Sequence, residues 1–183
     1  MDYKMNIAGV ERALPLCPLN EKLQIGAFVM FGDVELTVAC ASALLKKAPE
    51  YDVLITAESK GIPLAYEMAR QRGGERYLLA RKAPKLYMRD VIKYEVKSIT
   101  TAAKQVLYLD GYDAEYMKGK RVLIVDDVIS TGESLNALST LVNEAGGNVV
   151  GMMAVLAEGE AADRDDIIFL EKLPLFDSEG NAI

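Results

Sequence analysis

Two carboxylates in tandem, Asp126 and Asp127, stand at the end of an apolar run in VLIVDDVISTGESL, residues 122–135. Ser130, Thr131, Gly132, Glu133 and Ser134 follow them. Adjacent carboxylates repel, so a pair held side by side asks for a partner, a polyol or a divalent cation. The small polar residues after them suit different chemistry. A glycine lets a ligand approach the backbone closely, and unpaired amides at a helix start attract an anion such as a phosphate monoester. The stretch reads as a bipartite grip, with carboxylates for hydroxyls or a cation and amides for a phosphate. Ser130 and Glu133 also fit a capping box, S-x-x-E, whose role is to satisfy helix donors. The spacing alone supports either use.

The remaining chemistry is bounded by what the chain lacks. Its 183 residues include no histidine, which excludes Ser-His-Asp and Cys-His catalysis and leaves proton transfer to carboxylates, Lys, Tyr or the substrate. Cys17 and Cys40 have no metal-ligand spacing and read as reduced thiols in a cytoplasmic chain. A net charge of −6 disfavours a nucleic-acid partner, although a few local donors can hold a small anion on an acidic protein. No apolar run is long enough for a membrane span, and the first ten residues lack the apolar region of a secretory signal. Neither G-x-x-x-x-G-K-[ST] nor G-x-G-x-x-G is present.

The elements that must position these residues follow from periodicity. Asp33 is placed to cap a helix over residues 34–47, with Lys46 and Lys47 near its end. YDVLITAES, 51–59, reads as a buried strand, and GIPLAYEMARQRGG, 61–74, as a helix with Pro63 in its first turn and Gly73-Gly74 as its stop. ERYLLAR is a further short strand. From Lys82 to Lys104 the pattern weakens, as expected of a functional loop or mobile hairpin. QVLYLDG and RVLIVDD resume strand character around a turn near MKGK. SLNALSTLVNEAGG shows a 3.6-residue period, NVVGMMAVLAEG reads as a central strand, and DDIIFLEKLPLF as a late edge strand. Strands alternating with helices predict an α/β fold, an open and mostly parallel sheet with helices on both faces. The 183 residues are expected to form a single domain.

VLIVDDVISTGES resembles the phosphoribosyl pyrophosphate (PRPP) motif of type I phosphoribosyltransferases. ITAESKGIPLA is similar to the pyrophosphate loop and following helix of the purine members, and ARKAPKLY to the R-K-x-x-K-L segment of adenine phosphoribosyltransferases. The resemblance covers residues 51–158 and is loose elsewhere. It implies that Asp126 and Asp127 hold the ribose hydroxyls, directly or through Mg²⁺. It further implies that Ser130, Thr131, Gly132, Glu133 and Ser134 bind the 5-phosphate. Ser59 and Lys60 would line the pyrophosphate, with Arg81 and Lys85 adding positive charge there, in a homodimer from the neighbouring subunit. The family's mobile loop would span 82–104, and a small hood would come from segments 1–30 and 158–183, with Phe28, Phe31, Leu156 and Glu158 toward the base.

The implied activity is transfer of 5-phosphoribosyl from PRPP to a purine, adenine or xanthine first, in purine salvage. Adenine members carry a glutamate in a Y-x-L-E-Y loop motif; here YEVKSITT puts Lys97 or Ser98 at that place, with Glu95 shifted. The alternative is a non-catalytic PRPP-binding regulator related to the purine repressor. Against it, the roughly 50 residues ahead of the strand at 51–59 leave no room for a winged helix beside the helix at 34–47.

Overall fold

The computed structural model describes residues 1–96 and 105–183. It opens with an antiparallel hairpin, β1 (Asp2–Ile7) and β2 (Val10–Pro18), turned by Ala8 and Gly9 at positive φ, and continues into β3 (Leu23–Gly26). Successive positive-φ residues are the geometry that keeps a tight hairpin in register with strand twist. Then come α1 (Val34–Leu45), β4 (Val53–Ala57), α2 (Ile62–Arg72), β5 (Leu78–Ala80), β6 (Ile92–Val96) and β7 (Gln105–Leu109). The chain closes with α3 (Gly111–Met117), β8 (Arg121–Ile129), α4 (Glu133–Glu144), β9 (Asn148–Glu158), β10 (Ile168–Leu173) and β11 (Leu175–Asp177).

The main sheet has five strands in the order β10-β9-β8-β4-β5, every pairing parallel. Its central strands are apolar on both sides, as a sheet covered on both faces requires. Val53, Ile55, Val122 and Ile124 pack with α4, β7 and α3 on one face; Leu54, Leu123 and Val125 pack with α1 and α2 on the other. The α/β expectation therefore holds. So do the caps: Asp33 accepts from Leu36 N at 3.1 Å, and α2 carries Pro63 in its first turn and a left-handed Gly73 at its end. Cys40 is buried in α1, and burial pushes its thiol up to about 12, which makes it inert at neutral pH.

Four expectations are corrected. The first 30 residues, read without elements, hold three strands that pair with β11 as a second sheet, β1-β2-β3-β11. This is the hood, and it means that residues 51–59 are not the first strand. QVLYLDG does not enter the main sheet; β7 pairs antiparallel with β6 in a two-stranded hairpin. The turn expected near MKGK is preceded by a helix, α3, capped by Asp110 accepting from Tyr112 N at 2.9 Å. The late edge strand is two strands: β10 completes the main sheet and β11 crosses to the hood, with Pro174 between them. Proline has no N–H to continue a ladder, so the chain changes sheets there. Lys97 and Ser98 lie outside the described residues. Among those described, no helix is long and apolar enough to cross a membrane.

Candidate active site

Topology points to one edge of the sheet. From β4 the chain passes through α2 to β5 on one side, and from β8 through α4 to β9 on the other. Loops that part in opposite directions leave a crevice at the carboxyl ends of the strands between them. A cleft of about 430 Å³ opens there, lined by Ala57, Glu58, Ser59, Lys60, Lys82, Val106, Leu107, Asp126, Asp127, Val128 and Ser134. It is continuous in residues with a smaller hollow of about 140 Å³ formed by Asp126, Val128 to Gly132, Ser134 and Leu135.

The acids do not end their strand, as the sequence suggested. β8 continues to Ile129, pairing Asp126 with Ala154, Val128 with Leu156 and Ile129 with Ala157. Holding both carboxylates inside a paired strand fixes their backbone, and both line the cleft. Asp127 is buried, with 4% of its side chain exposed, and Lys60 Nζ lies 3.2 Å from its Oδ2. That contact is charge proximity outside hydrogen-bond alignment, because Oδ2 is otherwise buried without a hydrogen-bond partner. Asp126 accepts from Asp127 N at 2.9 Å. Burial first, and the charge of Asp127 second, push the Asp126 carboxyl up from 3.8 to about 7.

The two loops are keyed together at Gly61. A Cβ there would overlap Thr56 Oγ1 and stand 3.0 Å from Asp126 Oδ1. Only glycine lets the loop before α2 settle onto the acids. The Glu58–Ser59 peptide in this loop is cis.

The capping box is not formed. Gly132 is the residue before α4, in the left-handed region at φ 77, and no side chain caps the helix. Because β8 runs on to Ile129, Ser130 and Thr131 are consumed by the turn, and the helix starts only at Glu133. The first backbone bond of the helix runs from Asn136 N to Gly132 O at 2.9 Å. The amides ahead of it face the small hollow, with a single long contact from Glu133 N to Thr131 Oγ1 at 3.4 Å. Unpaired donors plus the positive end of the helix make this an anion seat.

The other expected residues are dispersed. Ser59 and Lys60 line the cleft; Arg81 and Lys85 do not. Arg81 pairs with Glu58 at 3.1 Å, and its backbone is bridged to Tyr108. Lys85 N meets Met88 Sδ at 3.2 Å in the following loop. Phe28 and Leu156 are packed in the core on the α1–α2 face, Phe31 is half exposed, and Glu158 ends β9; none of the four lines the cleft. Sequence reasoning missed Glu58, Lys82 and the β7 residues Val106 and Leu107. Lys82 adjoins Arg81 in the same basic pair, so the signal was present; β7 reaches the cleft only because the hairpin folds over it.

Two carboxylates, one with a free buried oxygen, suit Mg²⁺, which keeps waters and substrate oxygens in most of its positions. Among the described residues no group of three or more His, Cys, Asp or Glu comes together as an all-protein metal cage.

The phosphoribosyl transferase domain family matches residues 37–179. An adenine phosphoribosyltransferase of Petrotoga mobilis is 34% identical over 118 residues, covering 62% of each chain. A hypoxanthine/guanine phosphoribosyltransferase of Methanosarcina mazei is 35% identical over 109 residues, covering 60% of this chain and 53% of that one. The chain thus spans a little over half the length of these curated relatives. The fold matches the crystal structure of adenine phosphoribosyltransferase from Thermoanaerobacter pseudethanolicus with a TM-score of 0.72 at 22% identity, covering 87% of this chain and 95% of that one. With the acid pair, the pyrophosphate-type loop and the open helix start gathered at one crevice, this chain belongs to the phosphoribosyl transferase family.

Proposed function

We propose that this protein is a purine phosphoribosyltransferase of purine salvage, moving 5-phosphoribosyl from PRPP to a purine with release of pyrophosphate. The observation that carries the reading is the single cleft that unites Asp126 and Asp127 with Lys60 and the open start of α4. In the reaction the bond from the anomeric carbon to pyrophosphate oxygen breaks, and a bond from that carbon to a purine nitrogen forms. The purine loses the proton on that nitrogen. Positive charge develops on the ribose ring, as in glycoside cleavage.

Each part of the cleft suits one part of this substrate. Asp126 and Asp127 hold the ribose hydroxyls and stabilise the developing positive charge. Ser130 to Ser134 and the α4 amides hold the 5-phosphate. Ser59, Lys60 and Lys82 bind the leaving pyrophosphate. Mg²⁺ on the two aspartates would supply further counter-charge to that leaving group. Val106 and Leu107 wall the cleft and exclude water, which would otherwise hydrolyse the activated sugar.

The chain functions as one domain and pairs as a homodimer. Val34, Val38 and Tyr66 expose apolar surface around a groove between α1 and α2, with Pro63 on its wall; such patches mark contacts. Tyr66→Asp is expected to leave monomers in sedimentation, and an unchanged dimer would rule out this face.

The reading is tested by pyrophosphate release from PRPP and Mg²⁺ with adenine, hypoxanthine, guanine and xanthine in turn. Turnover with at least one base is expected. PRPP binding without turnover on any of them would show a regulator instead of an enzyme.

A further inference from the structure

Arg164 follows the 3-10 turn Gly159–Asp163 at the end of β9, far from the acid motif in sequence. Its Nε and Nη2 donate to Asp166 Oδ1 and Oδ2 at 2.8 and 2.6 Å. This is a bidentate pair, which fixes the plane of the guanidinium and not only its position. Nη1 is left outside the fork. It lies against Gly132, where a Cβ would overlap it. Gly132 therefore has two reasons to be glycine: a positive φ, and a guanidinium in the space a side chain would fill.

The contact is electrostatically odd in the absence of an anion. The start of α4 carries the positive end of the helix dipole and unpaired amides, and a cation against it is a like-signed neighbour. Asp166 offsets part of that charge but faces the other edge of the guanidinium. An ordinary surface ion pair of this exposure, 25% and 49% for the two side chains, would be worth little and would have no reason to sit on the turn. A negative ligand at the start of α4 removes the conflict.

We infer that Arg164, oriented by Asp166, is a positioning residue for the phosphate end of the cleft. It braces the Gly132 turn so that the α4 amides face the ligand's phosphate, and it adds positive potential there. The inference rests on the PRPP reading and extends it to a segment outside the recognised motif.

Calorimetric titration of the full chain with ribose 5-phosphate and, separately, with pyrophosphate tests it. Arg164→Ala is expected to weaken ribose 5-phosphate about tenfold, equivalent to about 1.4 kcal/mol, and to leave pyrophosphate, held by Ser59, Lys60 and Lys82, unchanged. Arg164→Lys should recover part of the loss, since it keeps the charge but not the fork, and the loss should shrink in high salt. Should Arg164→Ala fail to fold, Asp166→Asn takes its place, with a severalfold loss for ribose 5-phosphate alone. Unchanged ribose 5-phosphate affinity, or equal weakening of both ligands, overturns the inference. A wild-type chain that binds neither ligand overturns the PRPP reading and this inference with it.

Discussion

The sugar-phosphate end of the cleft and the hood are built in opposite ways. The sugar-phosphate end is assembled from the loop 58–61 after β4 and the segment 126–134, the end of β8 and the turn after it, which meet at Gly61 and Asp126. The hood is assembled from the chain's two extremities; Gln24 Nε2 reaches Asp177 O at 2.9 Å across 153 positions of sequence. The first end is rigid and polar, with charges placed before any ligand arrives. The second is an antiparallel sheet whose side chains serve packing first.

Substitutions can separate the two regions, and the largest effect is expected at Asp127. Asp127→Asn keeps the shape and removes the charge, so turnover should fall about 10²–10³-fold, the range seen when one transition-state stabiliser is lost. Near-normal turnover by steady-state kinetics would remove Asp127 from the chemistry. Next is Lys60→Met, which deletes a charge-assisted contact to the leaving group. The KM for PRPP should rise about 10- to 100-fold, following the 1.5–3 kcal/mol of such contacts, while the KM for the base stays put. Away from the cleft, at the half-exposed Phe31 that follows β3, Phe31→Ala should leave the KM for PRPP unchanged. A raised value would mean that the two regions are not separate in function.

The smallest effect is on stability. Asp126 titrates in the folded state at about 7, raised from 3.8, so between these values the unfolded chain releases a proton that the folded one keeps. Stability of the ligand-free protein should therefore fall as pH rises through that window. Asp33 and Asp52 are shifted the other way by Arg12 and Arg121, so their contributions rise with pH and level off only by about pH 5, which leaves the fall above that value to Asp126. Asp126→Asn should flatten the slope in thermal melts taken from about pH 5 to pH 7. An identical slope in the variant would show that other groups carry it.

The same division explains how much could be read from sequence. Acids, glycine and hydroxyls at the sugar-phosphate end lie within nine contiguous residues, 126–134, and their chemistry is local, so type and spacing suffice. The parallel sheet was legible because its strands are apolar runs between capped helices. The hood was expected from the terminal segments through the family resemblance, but its individual strands were not read, because their pairings are long-range. Ser130 and Glu133 misled for a tertiary reason: pairing with β9 extends β8 four residues past Val125, where its apolar run stops. The pairing of Arg81 with Glu58 was not legible, because Glu58 sits on a neighbouring loop that only the fold brings close.

The placement of Lys60 beside Asp127 has a consequence for how the protein is made. Two carboxylates in tandem on a central strand would resist burial in a newly synthesised chain that has yet to meet its substrate. Lys60 comes from the loop after the neighbouring strand and supplies a resident counter-charge, so the sheet can close without borrowing a cation from solution. Half of the lysine side chain stays in solvent, which leaves it free to turn toward an incoming pyrophosphate. On the proposed reading, one residue thus serves first as a counter-charge within the fold and then as a ligand contact.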